Sequence, residues 1–139
     1  MVNIELTNKE YRRLLDLVYI GNWILNSARE NDRIVDYDNL ESKIFSKCEE
    51  LDMPQLYAKR AGWFYPSRAF QEGGIHEAIM DYEDTVFFEI LAEELARRDM
   101  DYQPVSRENY EELVSRMDDY IAEFEANGTD NLVLSSEDA

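Results

Sequence analysis

Acidic side chains offer the first candidate chemistry in this chain. Glu89 is the sole charge in the apolar run Val86–Ala92, and Glu93 follows one helical turn later on the same side. A carboxylate in apolar surroundings is costly unless it is paired or bound to metal. Two glutamates four apart, joined by acids such as Asp81 or Asp84, supply the oxygen ligands that a divalent cation takes. Helical carboxylate–metal enzymes such as nucleotide hydrolases need matched pairs, Glu-x-x-Glu with Glu-x-x-Asp, or Glu-x-x-His. Glu49-x-x-Asp52, Asp81-x-x-Asp84 and Glu108-x-x-Glu111 are present here, and Glu-x-x-His is not. With 31 acids in 139 residues such spacings arise by chance, so a divalent-metal enzyme is the second reading. The first reading carries no catalytic residue and no cofactor.

Two further groups carry reactive chemistry in principle. His76 is the single histidine, beside Gly73-Gly74 and Glu77. Alone it builds no ordinary metal site. It suits general-base work only with a nucleophile near it, and the sequence places none there. Cys48 is the single cysteine, so no internal disulfide forms. It falls on an apolar stripe at helical spacing, where a thiol is normally inert packing.

The segment Pro54–Gln71 differs from the rest of the chain. It holds Lys59, Arg60 and Arg68 and no acid, together with Tyr57, Trp63, Phe64, Tyr65 and Phe70. Trp, Tyr and Arg are the residue types of interaction hot spots, and the same types line small-ligand pockets. Most of these aromatics are expected to lid a core, with Tyr65 and Arg68 left accessible. Candidate partner-binding residues are Trp63, Tyr65 and Arg68 here, and Tyr19, Trp23 and Phe88 on the apolar helices.

The elements that must position these residues are helical. Thr7 with Glu10 three residues on fits a capping box, and that first helix is expected to run to about Arg29. A second helix begins near Asp36 or Asp38, with Tyr37, Leu40, Ile44, Cys48 and Leu51 on one side. A third starts after Gly73-Gly74 and reaches about Arg98, where a basic pair suits the helix dipole. A fourth starts with Ser106 as N-cap, carries the stripe Tyr110, Leu113, Val114, Met117, Tyr120, Ile121 and Phe124, and stops at Asn127-Gly128. The alternating segments Val2–Leu6 and Asn131–Leu134 are expected as brief strands. The expected fold is all-α and four-helix bundle-like, two helical hairpins with an irregular aromatic segment between helices two and three. The expected domain is single and spans 1–139, with 1–6 and 129–139 as flanks.

Charge and hydropathy narrow the function classes. The net charge is −17. From Asp99 to Ala139 there are twelve acids and two bases, against nineteen and twelve before them. Binding to nucleic-acid phosphates or anionic lipid requires the opposite sign. A basic protein is electrostatically allowed, and an acidic nucleic-acid mimic is a third, weaker reading. The run Leu17–Leu25 is apolar for nine residues and is interrupted by Gly21 and Asn22, far short of a membrane span of about 20. Glu5, Lys9 and Glu10 sit where a signal peptide requires apolar residues, so a cytoplasmic location is expected. The first and third helices are apolar on nearly every side, more than a small helical protein covers with its own elements. The expectation is a non-enzymatic interaction or adaptor module that self-associates as a dimer through those helices.

Overall fold

The computed structural model describes residues 1–136. Along the chain run α1 (Asn8–Asn26), α2 (Val35–Phe45), the single turn α3 (Lys47–Glu50), β1 (Tyr57–Arg60) and β2 (Trp63–Pro66). A short turn α4 (Arg68–Phe70), a wide turn Gln71–Ile75, α5 (His76–Asp99) and α6 (Tyr110–Asn127) follow. The structure is mostly helical, and two compact units are formed, Met1–Ile79 and Met80–Ala139. No helix among the described residues is long and apolar enough to cross a membrane.

The N-terminal unit begins with a reciprocal cap. The Thr7 hydroxyl accepts from the Glu10 amide at 3.2 Å, and the Glu10 carboxylate accepts from the Thr7 amide at 2.7 Å. Tyr11, Leu15, Tyr19, Asn22 and Asn26 then repeat at helical spacing, and all five are buried. The inward stripe of α1 is thus apolar at its start and polar at its end. The helix stops at Asn26, three residues before the expected Arg29, because the Asn26 side chain clamps the next segment. Its Oδ1 accepts from the Ile34 amide at 2.7 Å, and its Nδ2 donates to the Ile34 carbonyl at 3.1 Å.

Helix α2 is turned differently from the expectation. Tyr37, Leu40 and Leu51 are exposed, while Ser42, Phe45 and Cys48 are buried and Asp38 and Glu41 half-buried. The reason is Phe45. It packs edge-on to Phe70 at 5.2 Å and has no exposed surface, and burying such a ring contributes roughly 1.5–3 kcal/mol. Orienting Phe45 inward brings positions 38, 41 and 42 inward with it. Cys48 is fully buried beside the Tyr11 hydroxyl, and burial pushes its thiol above the ordinary range, as expected of inert packing.

The all-α class broadly fits this mostly helical chain, but the aromatic segment is not irregular: it adds one small two-stranded sheet. Tyr57–Arg60 and Trp63–Pro66 form an antiparallel hairpin, with Tyr57 opposite Pro66 and Arg60 opposite Trp63. Ala61 and Gly62 both take positive φ, +50° and +79°, which matches the right-handed twist of a two-residue hairpin turn. An isolated hairpin is marginal. This one is pinned to α2, where the Phe64 amide donates to the Ser42 hydroxyl at 2.9 Å. Ser67 caps the turn after it by accepting from the Phe70 amide at 3.0 Å. Gly74, at φ +110°, breaks the helical run so that α5 starts afresh at His76, as the Gly73-Gly74 pair predicts.

The C-terminal unit contains the rest of α5 and α6. Ala92, Ala96, Leu113 and Phe124 are buried, and Phe88 packs on Phe124 at 5.4 Å. The stripe on α6 has its expected membership, although Tyr110 is exposed. Its start is one turn later than Ser106. Asn109 instead gathers the preceding loop, accepting from the Ser106 amide at 2.8 Å and donating to the Pro104 carbonyl at 3.0 Å. Gly128, at φ +57°, ends α6 as expected. Residues 2–6 and 132–136 form no strand, so that expectation is also corrected; residues 137–139 lie outside the described residues.

Candidate functional site

One end of the N-terminal unit has its polar side chains inside. There the inward residues of α1 are Asn22 and Asn26, and those of α2 are Asp38, Glu41 and Ser42. Asn26 Nδ2 donates to the side-chain Oδ1 of Asn22 at 2.6 Å, and Asn22 Nδ2 donates to Asp38 at 3.0 Å. Asp38 also accepts from both Nε and a terminal nitrogen of Arg33, at 2.9 and 2.7 Å. This two-pronged ion pair holds the Asp38 carboxyl below the usual range, with the Arg33 hydrogen bond the largest cause. The remaining terminal nitrogen of Arg33 donates to the Asn26 carbonyl at 3.3 Å, at the C-terminal end of α1 where the helix dipole favours a cation. Buried polar groups are tolerable because they satisfy one another in this way.

A cleft of about 330 Å³ opens over this network. Tyr19, Asn22, Trp23 and Ser27 come from α1, Arg33 and Glu41 from α2 and the turn before it, Tyr65 and Pro66 from β2, and Gln71 from the wide turn. Glu41 forms no salt bridge among the described residues. Burial pushes its carboxyl up to about 7; Asn22 and Arg33 draw it the other way, and Asp38 adds to the rise. Tyr19 is raised by burial and by the Glu41 charge. Its hydroxyl lies 2.5 Å from His76 Nε2, and the imidazole stands edge-on to Trp23 at 4.8 Å. His76 therefore supports the aromatic wall, with the Tyr19 hydroxyl as its hydrogen-bond partner.

The candidates named from sequence separate into three groups. Tyr19, Trp23 and Tyr65 meet in this cleft. Trp63 stands two residues before Tyr65 on the same strand face, with ring centres 6.3 Å apart. Arg68 is exposed and donates to Glu72 at 2.7 Å, away from the lining. Phe88 lies in the other unit, lining a second cleft of about 310 Å³ with Asp84, Glu89, Ile121, Phe124 and Glu125. The proposed metal ligands Asp81, Asp84, Glu89 and Glu93 are all exposed, and only Asp84 and Glu89 share that cleft. Among the described residues no three His, Cys, Asp or Glu side chains converge in a way that would hold a metal ion.

Residues not singled out from the sequence are Asn26, Arg33, Asp38, Glu41 and Gln71. A signal for most of them exists: Asn22 and Asn26 are four apart, and Asp38, Glu41 and Ser42 have the same helical spacing. Two polar stripes on neighbouring helices imply a shared polar interior or a site.

A second furrow between the same two helices is mostly apolar. It is lined by Leu17, Val18, Gly21, Leu25, Tyr37 and Leu40, together with Asn22, which also lines the cleft. Leu17 is 69%, Leu40 49% and Tyr37 42% exposed. A Cβ added to Gly21 would meet nothing within 4 Å.

No family model matches the chain, and no curated protein or solved structure does either.

Proposed function

We propose that this protein is a non-enzymatic interaction module that pairs with a second copy of itself through the apolar furrow of α1 and α2. The observation that carries this reading is the exposure of Leu17, Tyr37 and Leu40 in the furrow that contains Gly21. Glycine inside a helix costs about 0.5–1 kcal/mol relative to alanine. Among the described residues no atom lies within 4 Å of a Cβ built on Gly21, which leaves room there for the close approach of a second chain.

Charge supports the same surface. Residues 1–79 hold thirteen acids and ten bases, a net of −3. Residues 80–139 hold eighteen acids and four bases, a net of −14. Two copies meeting through the N-terminal unit avoid the repulsion that two C-terminal units would suffer. The C-terminal unit in turn favours a basic protein as a second partner, at or near the cleft rimmed by Asp84, Glu89 and Glu125.

Sedimentation or light scattering at micromolar concentration tests the pairing. The expected mass is about twice the 16.4 kDa of one chain. Leu17→Asp and Leu40→Asp should each return the monomer, whereas Ile90→Asp on α5 should not. A wild-type monomer at all accessible concentrations overturns the reading.

A further inference from the structure

A second property of the N-terminal unit does not depend on self-association. We propose that the cleft between α1, α2 and the hairpin binds an organic ammonium group, a methylated or quaternary amine, between the rings of Trp23 and Tyr65 and the carboxylate of Glu41. The charged groups there are already partly committed to one another. Arg33 spends its fork on Asp38 at 2.9 and 2.7 Å and its last nitrogen on the Asn26 carbonyl at 3.3 Å. Asp38 is thereby compensated, and Asn22 donates to it as well. Glu41 is left as the surplus charge of a half-buried cleft.

A carboxylate in that position gains most from a cation that enters with the ligand. The type of cation follows from the walls. Trp23 and Tyr65 offer ring surface, which attracts a weakly hydrated organic cation and not a metal ion that needs several oxygens. His76 faces Tyr19 and not Glu41, so it does not supply the missing charge. The groups facing Glu41 are thus Asp38 and Arg33 from the α2 side, Asn22 and Tyr19 from α1, and Tyr65 from β2. A cleft of about 330 Å³ accepts a choline-sized head with room for its stem.

The ammonium can belong to a free small amine or to a methylated lysine side chain, and three probes separate these sources. Choline, its neutral isostere 3,3-dimethylbutan-1-ol, and a trimethyllysine tripeptide are titrated into the full chain, with the Trp23 indole N–H followed by NMR. Choline should shift that signal saturably, and the isostere should bind about tenfold more weakly or less, the loss expected when the charge is removed from a ring-and-carboxylate site. Tighter binding of the tripeptide than of choline identifies a peptide as the source, and the reverse identifies a small amine. Glu41→Gln should weaken choline by about tenfold while leaving the far-ultraviolet circular dichroism unchanged. Tyr65→Leu, on the solvent side of the cleft, should weaken it without unfolding the hairpin. Choline should also release protons near pH 7 and release fewer at pH 9, a readout that a structural role for Glu41 would not produce. Equal binding of the isostere, unchanged affinity in Glu41→Gln, or no saturable Trp23 shift with any probe overturns the proposal. Repeating the titration on Leu17→Asp keeps the result separate from self-association.

Discussion

Replacing Glu41 by glutamine should stabilise this protein at neutral and alkaline pH and do little in acid. The unfolded chain releases the Glu41 proton near 4.5, whereas the folded chain holds it until about 7. Between those values the unfolded state binds fewer protons, so stability falls as pH rises through the window. The full difference corresponds to a ceiling of about 3 kcal/mol, and solvent reaching the half-buried carboxyl reduces it to about 1–3 kcal/mol. Glutamine keeps the shape and removes the charge, so no void enters the comparison. Both tryptophans, Trp23 and Trp63, lie in the N-terminal unit, so urea unfolding followed by their fluorescence reports on that unit alone. The variant and the wild type should be nearly equal at pH 4.5, and the variant more stable by about 1–3 kcal/mol at pH 8. Asp38 behaves with the opposite sign. Its carboxyl is lowered by Arg33, so its contribution is present above 3.8 and is lost as pH falls below that value, outside the Glu41 window. A Glu41→Gln difference that is constant with pH, or destabilising at pH 8, would refute the electrostatic account of the cleft.

Three other outcomes follow from named contacts. Asn26→Ala removes both bonds to Ile34 and should cost about 2–4 kcal/mol in the same urea experiment, because a buried amide and carbonyl lose their partners. Ala61→Asn restores the preferred residue for a left-handed hairpin position and should raise stability by about 0.5–1 kcal/mol, with strand pairing checked by amide exchange at Ala58 and Tyr65. Gly21→Ala should raise the melting temperature of the monomer and weaken its self-association, measured by sedimentation, since the added methyl finds open space in one chain and fills the furrow floor.

Some local signals in the sequence held, although the Ser106 cap and the end of the first helix at Arg29 did not. The Thr7–Glu10 cap, the Gly73-Gly74 break and the Asn127-Gly128 stop each depend on neighbours within a few residues, and each is where the residue types place it. The hairpin was hidden because its turn is Ala61-Gly62 and not Asn-Gly, and because Ala61 holds a left-handed conformation only through strand pairing around it. Helix α2 was mis-turned because its apolar residues define two possible faces, and the choice between them is made by Phe70, which is 25 residues further along. The cleft was half legible. Tyr19, Trp23 and Tyr65 stand out by residue type, but Glu41 is one of 31 acids and is distinguished only by what surrounds it. The exposed carboxylates of α5 stood out by contrast with their apolar neighbours, a contrast that means burial only if something covers them.

The division of charge between the units, −3 against −14, sets an order of events. Long-range Coulomb forces act before short-range fit, and they act here almost wholly on residues 80–139. A cationic body diffusing towards this protein is steered to the C-terminal unit, at a rate that drops as salt rises. The N-terminal unit is nearly invisible at that range, and its furrow and cleft engage only what touches them. On the proposed reading, the two halves of the chain would respond to different variables, ionic strength for one and concentration and pH for the other.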